Sequence, residues 1–135
     1  MKKILQCVML IDDDHDDNYF HERAIRQLND TTAIVVRNTG HEALTYLKLQ
    51  NDRIDPHPDL IFLDINMPGM NGWEFLNEYN KLKKELQGLA IIIMLTTSDN
   101  EEDIARATEW SFVSDFITKP LTGEKMTIVC EKYFN

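Results

Sequence analysis

Four apolar runs of this chain each break off into polar residues of a kind that can hold an ion or move a phosphoryl group. Ile11 runs into Asp12-Asp13-Asp14, and Leu63 into Asp64 followed by Ile65-Asn66-Met67-Pro68-Gly69. Leu95 leads to Thr96-Thr97-Ser98, and Ile117 to Thr118-Lys119-Pro120. Asp12, Asp13 and Asp64 ionised side by side repel one another, which raises one or more of their pKa values. A hard divalent cation removes the conflict. Mg2+ (or Mn2+) takes oxygen ligands, keeps several waters and commonly uses one or two carboxylates together with a substrate phosphate. A carboxylate beside such an ion is a competent nucleophile toward phosphorus. Transfer then needs positioning and charge neutralisation at the equatorial oxygens, from the ion, the Thr96 hydroxyl and the Lys119 ammonium. Taken alone, a strand-end Asp is more often a cap or turn residue, and a lone Thr96 or Lys119 reads as surface. The feature that points to a site is the convergence of four run ends carrying complementary charge.

Convergence requires a fold that brings those ends to one edge. The apolar runs are Ile4–Ile11, Ala33–Val36, Leu60–Leu63, Leu89–Leu95 and, weakly, Phe116–Ile117. Near-continuous stretches such as Ala90-Ile91-Ile92-Ile93-Met94-Leu95 suit parallel strands covered on both faces. Helical stripes lie between them: Phe20, Ala24 and Leu28; Ala43, Leu44 and Leu47; Phe75, Leu76, Tyr79, Leu82 and Leu86. A last stripe comprises Met126, Val129, Cys130, Tyr133 and Phe134. Strand and helix in alternation predict an α/β three-layer sandwich around a parallel sheet with right-handed crossovers. The residues just past each run then share the C-terminal edge, where ligands bind in open α/β folds. Asp16 or Asp17 is expected to cap the first helix and Thr122 the last, with Gly40 and Gly72 standing before the second and third. Gln50–Pro58, which contains two prolines, reads as an exposed loop.

The 135 residues fit one domain without linker or repeat, and 43% apolar content allows a core without staples. A net charge of −9 argues against nucleic acid and against an anionic membrane surface as direct partners. Five of the 23 acids crowd into Asp12 to Asp17, which is costly unless a cation offsets them. Cys7 and Cys130, far apart in the chain, read as packed free thiols of a reduced intracellular protein. Met1-Lys2-Lys3 and the apolar stretch after it imitate a signal peptide. However, Gln6 interrupts the stretch, and it enters Asp12-Asp13-Asp14 without a cleavage site. No stretch approaches the roughly 20 apolar residues of a membrane span. A cytoplasmic protein is expected.

Other features suggest less. His15 among Asp14, Asp16 and Asp17 could be a second metal ligand, but favourable charge at a helix start explains the cluster better. His21, His41 and His57 lack partners at helical spacing and read as surface residues. Trp73 reads as packing; for Trp110 both packing and a partner contact stand open.

Taken together, Ile11-Asp12-Asp13-Asp14, the block from Leu63-Asp64 through Met67-Pro68-Gly69 to Gly72, Leu95-Thr96 and Thr118-Lys119-Pro120-Leu121 resemble the signature blocks of response-regulator (CheY-like) receiver domains. The resemblance implies a flavodoxin-like sheet of five parallel strands in the order 2-1-3-4-5 with five helices. It implies Asp64 as phospho-acceptor, Asp13 as direct metal ligand, Asp12 as ligand through water, and Asn66 as ligand through its backbone carbonyl. It further implies Thr96 and Lys119 on the phosphoryl oxygens and a cis Lys119–Pro120 bond. In the family's switch, Thr96 is coupled to an aromatic residue on the fifth strand, here Phe116, which lacks the hydroxyl of the Tyr often found there. Phe112 replaces a glycine usual before that strand, and Asn66 and Ser98 occupy positions where the family tunes dephosphorylation. The expected partners are a histidine kinase or phosphotransfer protein and an unidentified downstream protein meeting the helix 4/strand 5/helix 5 face. Residues 1–135 are expected to form one receiver domain without an output domain. Such a protein is no enzyme beyond catalysing its own phosphorylation and dephosphorylation.

Two alternatives remain at this level. A small phosphohydrolase of haloacid-dehalogenase type would use Asp12 and Asp14 as an Asp-x-Asp pair, but finds only Ser114-Asp115 for its late acidic pair. A flavodoxin-like binding domain without phosphorylation would leave the acidic residues unexplained.

Overall fold

The computed structural model describes residues 4–49, 57–82, 90–97 and 100–135. In chain order the elements are β1 (Cys7–Ile11), α1 (His15–Leu28), β2 (Ala33–Arg37), α2 (Gly40–Lys48) and β3 (Leu60–Asp64). Next come α3 (Gly72–Asn80), β4 (Ile91–Thr96), α4 (Glu101–Ala107), β5 (Val113–Thr118) and α5 (Gly123–Tyr133). The strands form one parallel sheet in the order β2-β1-β3-β4-β5. The expected α/β sandwich and strand order are both present.

Alternation along each strand divides the core in two. Met9 and Ile11 of β1, Ile61 and Leu63 of β3 and Ile92 and Met94 of β4 face one side. There they meet Ala43, Leu44 and Leu47 of α2 and Phe75, Leu76 and Tyr79 of α3. Val8, Leu10, Leu60, Phe62, Ile93 and Leu95 face the other side against Ala24 and Ile25 of α1 and Met126 and Val129 of α5. Both faces are covered, which is why β1, β3 and β4 carry apolar runs rather than an alternating pattern. Cys7 is buried and Cys130 half-buried, both as free thiols. Burial, and then the Asp59 carboxylate, push the Cys7 thiol up to about 11.

The stripe expected on the first helix, Phe20, Ala24 and Leu28, holds only at Ala24. Phe20 is 58% and Leu28 41% exposed, and the buried face comprises Asn18, His21, Ala24 and Ile25. Apolar spacing chose the wrong side because the sheet-facing side is polar near its N-terminus. His21, expected at the surface, is only 2% exposed, whereas His41 is exposed and His57 half-buried. The first cap is Asp14, not Asp16 or Asp17: its Oδ1 accepts from the backbone N–H groups of Asp16 at 2.9 Å and Asp17 at 3.1 Å. Thr39, Asn71 and Thr122 cap α2, α3 and α5, so Gly40 and Gly72 are first helical residues. Leu86 and Ser98, and nearly all of Gln50–Pro58, lie outside the described residues.

The start of α3 is locked onto the end of β3. The Gly72 N–H donates to the Ile65 carbonyl at 2.8 Å. A Cβ on Gly72 would sit 2.7 Å from the Asp64 carbonyl oxygen and 2.9 Å from the Ile65 Cα. Between them, Gly69 turns the chain with φ of 79°, a left-handed conformation that glycine adopts without steric cost. Phe112, at the position where a glycine was expected, has its ring 5.4 Å from Tyr79 and 5.8 Å from Trp110. Trp73 is buried and carries Arg106 over its ring at 4.7 Å. Both tryptophans therefore pack within the fold.

Gly72→Ala forces backbone apart and should lower the unfolding free energy by about 1–3 kcal/mol in denaturant titration. Gly40→Ala should lose less, because its new methyl meets only the Met70 side chain, whose thioether can swing away. Equal losses would show that the close approach at Gly72 does not constrain the loop.

Candidate functional site

Two adjacent strands whose connections leave in opposite directions open a crevice at their C-terminal ends. In this sheet β1 and β3 are that pair, with β2 beyond one and β4 beyond the other. Asp12 comes directly after β1 and Asp64 ends β3. Asp12 is buried and held by its neighbours: Oδ1 accepts from the Asp14 N–H at 3.0 Å, and its carbonyl accepts from Asn18 Nδ2 at 2.8 Å. Asp64 is also buried, while Asp13 faces solvent. One carboxylate oxygen from each of Asp12, Asp13 and Asp64 lies within 4.8 Å of the others.

Lys119 answers that concentration of charge. Its ammonium lies 2.8 Å from Asp12 Oδ2, 2.8 Å from Asp17 Oδ2 and 3.3 Å from Asp64 Oδ1. Burial pulls the lysine pKa down, but the hydrogen bonds to Asp12 and Asp17 and the charges of Asp12 and Asp64 outweigh it, so the ammonium sits above its usual range. Burial, and then the Asp12 charge, push Asp64 up to about 6, although Lys119 pulls the other way. One ammonium is not enough for this pocket.

Thr96 and Lys119 arrive together. Thr96 comes after Leu95, the register partner of Asp64, and pairs with Thr118. The Lys119 N–H donates to the Thr96 carbonyl at 2.6 Å, and the Lys119–Pro120 bond is cis. The Thr96 side chain is fully buried. Phe116 is half-buried beside Met94 in the β4–β5 register. Asn66 lies exposed two residues past Asp64, in the loop before α3.

Asp14 is not part of the group. Its Oδ1 caps α1, and the close carboxylate group consists of Asp12, Asp13 and Asp64. Two neighbours escaped the sequence reading: Asp17 on Lys119, and buried His21 one turn later. Burial, and then the Lys119 charge, lower the His21 pKa, although the charges of Asp17, Asp12 and Asp14 pull the other way. The helical spacing of Asp17, His21, Ala24 and Ile25 was the available signal, since a helix that starts at the site's edge can face it with polar residues.

The group suits a hard divalent ion. Every donor is an oxygen, the three carboxylates share one short radius, one of them is already pushed toward protonation, and exposed Asp13 leaves room for retained waters. A family model described as the response regulator receiver domain matches residues 8–131. The chain belongs to that family. Among curated proteins this receiver domain is similar to the sensor histidine kinase CheAY of Helicobacter pylori, 34% identical over 128 residues, 93% of this chain and 14% of that protein. It is also similar to the response regulator Rcp1 of Synechocystis, 28% identical over 115 residues, 84% of this chain and 76% of that one. Among solved structures, a two-component response regulator from Cytophaga hutchinsonii superposes with a TM-score of 0.85 at 28% identity, over 96% of this chain and 97% of that one. The Mn2+-bound form of Rcp1 superposes at 0.74 with 26% identity, over 95% and 93%. The chain is thus a flavodoxin-like receiver of two-component signalling, a family of signalling proteins that interact with kinases or phosphotransfer proteins. Among the described residues no helix is long and apolar enough to cross a membrane.

A divalent ion held by Asp12, Asp13 and Asp64 would compete with Lys119 for those carboxylates, so removing the lysine should have opposite effects without and with metal. In EDTA, Lys119→Met should cost about 2 kcal/mol of stability, below the roughly 3–5 kcal/mol of a fully buried pair, since Asp13 and Asp17 stay partly wet. Added Mg2+ should then raise the Tm of Lys119→Met more than that of the wild type. Equal Mg2+ shifts in thermal melts of the two proteins would contradict this competition.

Proposed function

We propose that the chain is a response regulator that accepts a phosphoryl group on Asp64 from a histidine kinase or phosphotransfer protein. The observation that carries the proposal is the buried Asp64 carboxylate, grouped with Asp12 and Asp13 and 3.3 Å from an ammonium. Mg2+ or Mn2+ would be held by Asp12, Asp13, Asp64 and the Asn66 carbonyl, and would supply charge neutralisation to the phosphoryl oxygens. The Mn2+-bound form of the related Rcp1 supports that choice.

One Asp64 carboxylate oxygen attacks phosphorus, forming an acyl phosphate bond as the bond from phosphorus to the donor nitrogen breaks. The departing imidazole keeps the electron pair and takes its proton from water. Lys119 moves from the Asp64 oxygen to a phosphoryl oxygen, and the Thr96 hydroxyl binds another. Hydrolysis of the acyl phosphate by water, at the same residues, ends the signal, so the chain catalyses only its own modification and its removal. Thr96 lies fully buried behind the site with Phe116 half-buried on the next strand. Movement of Thr96 toward the phosphoryl group would let that ring turn inward, altering the face formed by α4, β5 and α5 for a downstream protein. With phenylalanine there, the change is one of packing and not of a phenolic hydrogen bond. A cytoplasmic setting, where kinases have ATP, fits this role.

Incubated with Mg2+ and acetyl phosphate, the wild type and Asp14→Asn should gain one phosphoryl mass, and Asp64→Asn should gain none. EDTA should abolish the gain. Sustained hydrolysis of a phosphate ester, lost in Asp12→Asn but kept in Asp64→Asn, would instead make the protein a phosphohydrolase.

A further inference from the structure

We propose that Asp17, a carboxylate outside the acidic triad, is a positioning residue that holds the Lys119 ammonium over Asp64 and keeps it there when an ion draws on Asp12. The inference rests on the reading of Asp64 as phospho-acceptor. An ammonium has three N–H groups, and Lys119 faces three carboxylates, with Asp17 as close as Asp12 at 2.8 Å. Asp12 is the less dependable anchor. Its Oδ1 already accepts from the Asp14 N–H, and it belongs to the group of oxygens that a divalent ion would share. Asp17 is not in that group. It stays available to the lysine when Asp12 is occupied.

Asp17 also stands on rigid ground. It lies in the first turn of α1, where a negative charge is favoured by the helix dipole. That turn is fixed by the Asp14 cap, and α1 is docked through buried His21, Ala24 and Ile25. The lysine is fixed at its other end by the N–H bond to the Thr96 carbonyl at 2.6 Å. Two docked elements therefore set the Asp17–Lys119 contact. A long flexible side chain would otherwise spread over many rotamers, and a group that must meet a transferring phosphoryl cannot be left to do so. The tether is compatible with the transfer position, since Lys119 reaches Asp64 Oδ1 at 3.3 Å while bonded to Asp17.

The test combines kinetics with a direct view of the ammonium. With saturating Mg2+ and acetyl phosphate, Asp17→Ala should slow phosphorylation of Asp64 about tenfold, the scale of one charge-assisted hydrogen bond. Asp17→Glu should recover part of the rate. In a Lys119→Ala background, Asp17→Ala should cost nothing further, because the two residues act through one contact. In Mg2+-loaded protein, NMR should find the Lys119 ammonium protons protected from exchange, and Asp17→Ala should abolish that protection with the fold intact by circular dichroism. A wild-type or faster rate in Asp17→Ala, or the same loss in both backgrounds, would overturn the proposal. Wild-type protein that takes no phosphoryl would sink the reading of Asp64. The protection experiment then still decides the tether, which falls if the signals persist in Asp17→Ala.

Discussion

Carboxylates pressed together in a half-dry crevice are the interaction on which the rest of this structure depends. Each of Asp12 and Asp64 is buried, so each loses hydration that a single ammonium restores only in part. Two like charges a few ångströms apart cannot both stay ionised without a cation between them or beside them. Lys119 is such a cation. Its arrival from the far end of the sequence explains why the strand order matters. With β1 beside β3, and β5 reaching over from beyond β4, charges more than fifty residues apart in the chain meet at one edge.

The same crowding makes the site convertible. A pocket whose charges were balanced by rigid salt bridges alone would have no reason to admit an ion or a phosphoryl group. Here Asp64 remains pushed toward protonation even with Lys119 beside it, so further positive charge is welcome. The stiffness needed around such a site comes from backbone contacts. Gly72 lets α3 press directly against the end of β3, and the Lys119 N–H joins the ends of β4 and β5. The polar groups are thus mounted on elements that packing has already fixed.

Much of this could be read from the chain. The apolar runs of β1, β3 and β4 are continuous because both sheet faces are covered, and in a parallel sheet the residues just past each run necessarily lie at one edge. That rule alone brought Asp12, Asp13, Asp64, Thr96 and Lys119 to one place, where the structure also has them. The weak fifth run, Phe116–Ile117, became six residues, Val113–Thr118. This strand is an edge strand, only half-buried, and carries Ser114 and Asp115. The loop chemistry misled in one respect: Asp14, Asp16 and Asp17 are equally good caps by type, and only geometry selects Asp14.

The misreading of α1 has a physical reason that bears on function. Hydrophobic spacing assumes that a helix buries its apolar side, yet α1 leaves Tyr19 and Phe20 outside and turns Asn18 and His21 inward. Burying an amide and an imidazole costs free energy that apolar residues would not. The Asn18 amide recovers part of that cost, since its Nδ2 donates to the Asp12 carbonyl while its Oδ1 is buried without a partner; the bond fixes the turn that carries the acids. Burial, and then the Lys119 charge, disfavour the imidazolium of His21, which limits the charge this ring adds to a pocket already unbalanced. The inward face of α1 therefore meets the site at its N-terminal end and the core further along. A helix of this kind breaks the hydrophobic pattern where it meets the chemistry, and restores it at Ala24 and Ile25 as it moves away.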